Sequence, residues 1–168
     1  EGSYELLMAD DIRWGNLNLP EVSVDPESRR NLLFVKQAYM RLAEALVNRN
    51  QNDSAIAVLD RCQEFFPDEK IPYDLYMMAY PEIYYRAGAP EKADELINKI
   101  VDNSMDNLRY FSELDDQFIP YYTESIRENL AIINEMSNVA AEYNRMELSK
   151  SLENTLEQEF DKFLGIFN

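Results

Sequence analysis

The chain has 168 residues, of which 46% are hydrophobic and 29% charged, a composition typical of a folded domain. Acidic residues outnumber basic ones by 32 to 16, and the formal charge of −16 disfavours nucleic acid and anionic membrane surfaces as partners. There is no histidine and one cysteine, Cys62, which excludes histidine-based catalytic or metal sites and any intrachain disulfide. We therefore predict no cofactor, no metal and no direct membrane insertion by this segment.

Residues 1–25 predict an N-terminal arm that contains a short helix. Apolar Leu6 and Ile12 lie near helical spacing, and the following GNLNLP interrupts regular structure. We expect the indole of Trp14 to pack onto the helix that begins near Pro26. Because the chain opens without an initiator Met, we also expect it to be a piece of a longer protein.

The first long helix has a clear start signal. Asp25 is suited to cap a helix and Pro26 to occupy its first turn. Apolar residues then recur at steps of three and four and predict an amphipathic helix that reaches about Asn48. Asn50 is suited to a left-handed turn, and the helix that follows is expected to end before Pro67.

This helix pair resembles a tetratricopeptide repeat (TPR), a helix–turn–helix unit of about 34 residues. With Lys36 as the first repeat position, the matching residues are Tyr39, Leu42, Ala43, Leu46, Ala55, Leu59, Cys62 and Pro67. The two alanines are small because the helices are expected to cross there. We expect Cys62 to be a buried apolar residue and not a reactive thiol.

A second predicted repeat follows. Gly88 lies at its turn, and Ala93 lies where the repeat has a small residue at the helix crossing. Pro81 lies within its first helix and predicts a bend between Met77 and Pro81, because proline removes a backbone hydrogen bond. The second helix of this unit is expected to extend to about Ser112.

The last pair of helices lacks the repeat markers, as expected of a pair that caps a stack. It opens at Ile119 or Pro120, turns near Asn144, and carries a predicted apolar stripe on its last helix: Leu148, Leu152, Leu156, Phe160, Phe163 and Phe167. The predicted fold is an all-α, TPR-like helical repeat with about six long helices and one short N-terminal helix. The predicted repeat domain covers 26–168, with repeat 1 at about 36–69, repeat 2 at about 74–112 and a degenerate capping pair at about 119–167.

Four segments carry a narrower resemblance: RWGN at 13–16, RLAEAL at 41–46, DSAIAVLDRC at 53–62 and FPDEKIPYD at 66–74. Together they resemble the soluble C-terminal domain of a family of large multi-spanning bacterial membrane proteins of unassigned function. The membrane part of that family resembles GT-C glycosyltransferases of the protein O-mannosyltransferase kind. The resemblance implies a membrane-tethered soluble domain on the periplasmic side of a bacterial inner membrane. It places no catalytic residue in this segment.

The resemblance to TPRs implies that the first helix of each pair lines a concave groove. The candidate groove residues here are Gln37, Met40, Glu44, Asn48, Leu75, Met78, Glu82, Tyr85 and Arg86. A clamp for peptide C-terminal carboxylates is disfavoured, because Glu44 and Glu82 would repel one. Paired acids such as Asp115–Asp116 are interpreted as solvated surface and not as an acid–base pair. The tyrosines of predicted repeat 2 are suited either to packing in the core or to lining a binding surface.

We therefore predict a non-catalytic protein-interaction or scaffolding domain, the soluble tail of a membrane-embedded glycosyltransferase-like protein. The partner is a protein or peptide, including the membrane part of its own chain. The segment is not predicted to be an enzyme, although the full-length protein is a candidate transferase. The alternative is a free-standing TPR adaptor that binds an extended peptide or glycan in its groove. A further alternative is that the N-terminal arm of the domain covers the groove.

Overall fold

The computed structural model describes residues 2–9, 19, 22–115 and 117–166. Across these ranges the fold is all-α, as predicted, and contains no strand. The helices are α1 Gly2–Met8, α2 Pro26–Val47, α3 Asn52–Phe65, α4 Ala79–Ala87, α5 Pro90–Ser112, α6 Thr123–Glu142 and α7 Met146–Lys162. Short 3₁₀ helices form at Leu75–Met77, Ile119–Tyr122 and Leu164–Ile166. Within the described ranges, no helix combines the length and apolar character that crossing a membrane requires.

The chain divides into two compact units, Glu1–Ala93 and Asp94–Asn168, with the division inside α5. Predicted repeat 2 therefore contributes residues to both units. In the first unit, α2 and α3 pack as a pair, α4 packs against both, and α1 packs against the same two helices. The predicted contact of Trp14, and the RWGN segment that contains it, lie outside the described residues.

The start and the turns of the first unit follow the local signals in the sequence. Asp25 caps α2 by accepting hydrogen bonds from the backbone N–H groups of Glu27 and Ser28, both at 3.0 Å. Asn50 has a φ of 57° and Gly88 a φ of 84°, so both left-handed predictions are confirmed. These two residues end α2 and α4 and let the chain reverse.

The region around Pro81 differs from the predicted bend. The chain forms the 3₁₀ turn Leu75–Met77, and α4 then begins at Ala79. Pro81 thus lies in the first turn of α4, where its missing N–H has no intrahelical partner to lose. The helix is interrupted before the proline, and this position costs less than a kink in the middle of a helix.

The small and apolar repeat positions form the core of the first unit. Tyr39, Ala43, Ala55, Leu59 and Cys62 are each 0% exposed. Burial of Cys62 confirms the prediction that it is a core residue. Ala93 is also fully buried, at the end of this unit.

The second unit contains the antiparallel pair α6 and α7 with the remainder of α5. The α6–α7 contact includes a buried hydrogen bond from the Ser137 hydroxyl to the Ser149 carbonyl, at 3.0 Å. Asn107 of α5 donates to the side-chain oxygen of Asn129 on α6, at 3.1 Å. Asn144 has a φ of 61° in the turn between α6 and α7, which agrees with the predicted turn.

The predicted apolar stripe of α7 is wrong at Phe160. Its side chain is 42% exposed, whereas Glu159 is 4% exposed and accepts a hydrogen bond from Lys162 at 2.6 Å. Each four-residue step advances about 40° around a helix, so two steps from Leu152 carry Phe160 about 80° away from the buried face. Phe163 returns to that face and is 2% exposed.

Ala55→Leu tests the packing of α2 against α3. Because Ala55 is fully buried, the added side chain should overpack the contact and lower the free energy of unfolding by about 1–3 kcal/mol. The matched control is Ala131→Leu, at an exposed position of α6, which should change stability by less than about 0.5 kcal/mol. Urea denaturation measures both, and equal midpoints for the two variants would contradict close packing at Ala55.

Gly88→Val tests the turn after α4. A Cβ at Gly88 would meet no atom within 4 Å, so the loss of stability should come from the left-handed backbone alone. We expect a loss of about 1–2 kcal/mol for valine and a smaller loss for Gly88→Asn, because asparagine tolerates this conformation. Thermal unfolding of both variants gives the comparison, and the same melting temperature for valine and asparagine would contradict it.

Candidate functional site

The candidate groove residues of α2 form one stripe along the helix. Gln37, Met40, Glu44 and Asn48 recur at steps of three and four, so they share one face. Gln37 and Met40 are half-buried, whereas Glu44 and Asn48 are exposed. This face therefore combines one half-buried apolar side chain, that of Met40, with polar side chains on both sides of it.

The candidate residues from predicted repeat 2 differ more in exposure than those of α2. Leu75 is 48% exposed on its 3₁₀ turn, and Met78 and Glu82 are half-buried. Tyr85 is only 8% exposed, so its ring belongs mainly to the core. Both the 3₁₀ turn and α4 pack against α2.

Arg86 brings the two sets of residues together. Its Nη2 atom donates a hydrogen bond to Oδ1 of Asn48 at 2.5 Å. Its Nη1 atom lies 3.6 Å from the carboxylate of Glu82 and 4.0 Å from that of Glu44. Four of the nine candidate residues thus form one polar cluster that spans α2 and α4.

The Arg86 cluster orders this face more than it stabilises the fold. The side chains of Glu44 and Glu82 are 49% and 47% exposed, and that of Arg86 is 28% exposed. Exposed ion pairs contribute about 0–1 kcal/mol each, because water screens them. Two carboxylates share one guanidinium, so the cluster keeps a net negative charge and favours a neutral or basic partner.

Helix α1 of the N-terminal arm lies on another face of α2 than the candidate groove residues. Two clefts of about 560 Å³ and 440 Å³ flank α1, and both are lined by Leu42 and Ala45. Ala38 also lines the smaller cleft, and it follows Gln37 by one residue, or about 100° around the helix. Helix α1 and the candidate groove therefore occupy different faces of α2.

A polar network joins α3 to α4 and to the first turn of α5. The hydroxyl of Tyr84 donates to Asp60 at 2.8 Å and accepts a hydrogen bond from Gln63 at 2.6 Å. Lys92 donates to the second oxygen of Asp60 at 2.6 Å. Burial raises the pKa of Tyr84, and its hydrogen bond to Asp60 acts in the same direction. The phenol therefore stays neutral and serves as a fixed donor.

Lys36 is the residue that the sequence analysis used only as a repeat marker. Its side chain is 1% exposed, with Nζ 3.4 Å from the carbonyl of Ile71 and 4.9 Å from the ring centre of Tyr73. Burial lowers the pKa of this ammonium group, while Cys62, Asp74 and Asp68 oppose that shift. A signal was available, because Lys36 has the same helical phase as Tyr39 and Ala43 of the core.

Tyr80 connects the core of α4 to both neighbouring helices. Its hydroxyl donates to the carbonyl of Lys36 at 2.7 Å and lies 3.2 Å from the sulfur of Cys62. Because the tyrosine proton is used in the first bond, the thiol is the donor in the second. Burial raises the pKa of Cys62 to about 11, so the thiol remains protonated and a poor nucleophile.

Within the described ranges, no three Cys, Asp or Glu side chains gather closely enough to hold a metal ion. What the groove face can do is bind a partner through half-buried apolar side chains, with polar groups at fixed positions beside them. Comparisons of the chain with protein-family models, curated proteins and solved structures find no match.

Lys36→Met tests the cost of the buried ammonium group. Because the pKa of Lys36 is lower when folded than when unfolded, the unfolded state binds more protons between these two values. The penalty is largest at pH values below the folded-state pKa and falls as pH rises toward the ordinary lysine pKa of 10.5. We expect Lys36→Met to be more stable than wild type at pH 7, by on the order of 1 kcal/mol.

The difference between the Lys36→Met variant and wild type should shrink between pH 7 and pH 10. Taking the difference removes the contributions of titratable groups that do not interact with Lys36. Urea unfolding over this pH range provides the measurement, and Lys150→Met, at an exposed position of α7, should give a flat difference. A gain in stability that does not vary with pH would contradict the assignment to the ammonium charge.

Proposed function

We propose that this segment is a non-catalytic interaction module of TPR-like architecture, whose groove between α2 and α4 binds a neutral or basic peptide segment. The observation that carries the proposal is the Arg86 cluster, which joins candidate groove residues from two helices that are about 40 residues apart in the chain. Arg86 orders the side chains on the face that would meet a partner.

Support for the TPR-like arrangement comes from how α4 packs. In a stack of helix pairs, the first helix of the next pair contacts both helices of the pair before it. Helix α4 has this relation to α2 and α3. The buried Ala43 and Ala55 and the left-handed Asn50 occupy the positions that the repeat requires.

We further propose that the partner is the membrane-embedded part of the same protein, facing the periplasm of a bacterium. Support comes from the sequence resemblance and from the negative charge of the groove, which suits the basic or neutral loops of a membrane protein. In this proposal the domain positions or recruits, and any transfer chemistry belongs to the membrane part. The gene sequence upstream of Glu1 is the direct check, since it must encode many hydrophobic spans.

The groove is tested by capture of the detergent-solubilised membrane part on the immobilised domain. Met78→Glu places a charge at a half-buried apolar position of the groove. We expect capture to fall about tenfold, which is the loss of affinity expected when one methionine contact is removed. Glu44 and Asn48 remain in place in this variant, so the result reports on the apolar contact.

Met146→Glu is the matched control, because Met146 is 59% exposed in the first turn of α7 and far from the groove residues in sequence. Both variants must unfold at the same temperature as wild type, within error, before they are compared. Equal capture by wild type, Met78→Glu and Met146→Glu would reject the groove. Loss of capture for both variants would point to general charge repulsion and would also reject it.

A further inference from the structure

The second unit carries a separate surface of exposed aromatic and acidic side chains, which we call the aromatic–acidic surface. Tyr110, Phe118 and Tyr121 are 55%, 46% and 83% exposed. Glu113 and Asp115 lie between them in the chain. From residue 110 to residue 126 the sequence contains no Lys or Arg. None of these residues belongs to the candidate groove.

Ring contacts link the end of α5 to the 3₁₀ turn Ile119–Tyr122. The ring centres of Tyr110 and Phe111 lie 5.6 Å apart, and those of Phe111 and Tyr122 lie 5.1 Å apart. Phe111 is 8% exposed, so it anchors the chain that returns from the loop against the end of α5. Tyr110 is thus the neighbour in sequence of a ring that packs on Tyr122, and Tyr121 is the neighbour of Tyr122 itself.

Backbone hydrogen bonds shape the loop in between. The N–H of Phe118 donates to the carbonyl of Asp115 at 2.8 Å, and the N–H of Tyr121 donates to the carbonyl of Phe118 at 3.0 Å. These successive turns fix the backbone conformation at Phe118 and Tyr121. The aromatic side chains are thus displayed on an ordered support and not on an extended tail.

The charges around these aromatic rings are uncompensated. Glu113 and Asp115 form no ion pair with any Lys or Arg in the part of the chain that the structure describes. Nearby cations are already used, since Arg109 pairs with Asp106 at 2.9 Å and Arg127 with Glu124 at 3.0 Å. The segment from Tyr110 to Tyr122 thus carries exposed rings and carboxylates that form no ion pair within the described ranges.

We propose that the aromatic–acidic surface binds an arginine-bearing peptide segment of a partner protein. A guanidinium group stacks on the faces of Tyr110, Phe118 or Tyr121, which attract cations. The same group donates paired hydrogen bonds to the carboxylate of Glu113 or Asp115. Arginine fits better than lysine, because a planar guanidinium can stack and hydrogen-bond at once.

The test uses a fluorescein-labelled peptide, Gly-Arg-Ser repeated three times, and a second peptide with lysine in place of arginine. Fluorescence anisotropy measures binding of both to the whole domain at low and moderate salt. We expect wild type to bind the arginine peptide at least threefold more tightly. Phe118→Ala/Tyr121→Ala should weaken that binding about tenfold, although it leaves the net charge unchanged.

Two controls separate this surface from the general charge of the protein. Phe34→Ala removes a ring that is 69% exposed in the first unit and should leave the affinity unchanged. Glu113→Gln/Asp115→Asn should weaken binding more than Glu147→Gln/Glu153→Gln, which removes the same charge from exposed positions of α7. Thermal unfolding checks that every variant remains folded.

Equal affinity of wild type and Phe118→Ala/Tyr121→Ala for the arginine peptide would overturn the proposal. Equal affinity of wild type for the arginine and lysine peptides would also overturn it, since attraction by net charge alone would then explain the binding. Sedimentation tests a second copy of the chain as the occupant. Self-association that Phe118→Ala/Tyr121→Ala abolishes, without arginine-peptide binding, would replace the partner peptide with that copy. Failure here leaves the groove proposal intact, because the two surfaces share no residue.

Discussion

The packing of Tyr80 and Tyr84 is the constraint on which the first unit depends. Both rings are almost completely buried, and a buried hydroxyl without a partner would cost stability. Tyr80 meets this requirement with the carbonyl of Lys36 on α2, and Tyr84 meets it with Asp60 on α3. Because the two bonds reach different helices, they fix both the rotation and the height of α4. Any slip of α4 would break one of them.

The candidate groove is a consequence of that fixed rotation. A residue two places along a helix lies about 200° around it, so inward-facing Tyr80 and Tyr84 turn Glu82 and Arg86 away from the core. Arg86 then reaches Asn48 on α2. Tyr85 is also buried, so it contributes little to the exposed face. The core thus determines which side chains a partner can meet.

The candidate site was predictable only in part. The step of three and four residues along α2 was sufficient to place Gln37, Met40, Glu44 and Asn48 on one face. It did not indicate that Arg86 would reach that face, since this depends on how α4 packs about 40 residues later. On α7, a predicted stripe with steps of four residues wrongly placed Phe160 in the core, because each such step advances about 40° around the helix. The periodicity of apolar residues in the sequence did not predict that Phe118 and Tyr121 are exposed.

The sequence by itself determined where α2 begins and where the chain turns after α2 and α4. Asp25 and Pro26 start α2, and Asn50 and Gly88 adopt left-handed conformations, because capping and backbone preferences act within a few residues. Helical phase indicated that Lys36 faces the core, but only the tertiary structure decided which groups surround its ammonium group. Its burial depends on Ile71 and Tyr73, which are distant in the chain and adjacent in space. Local preferences select the elements, whereas burial and long-range hydrogen bonds depend on how those elements meet.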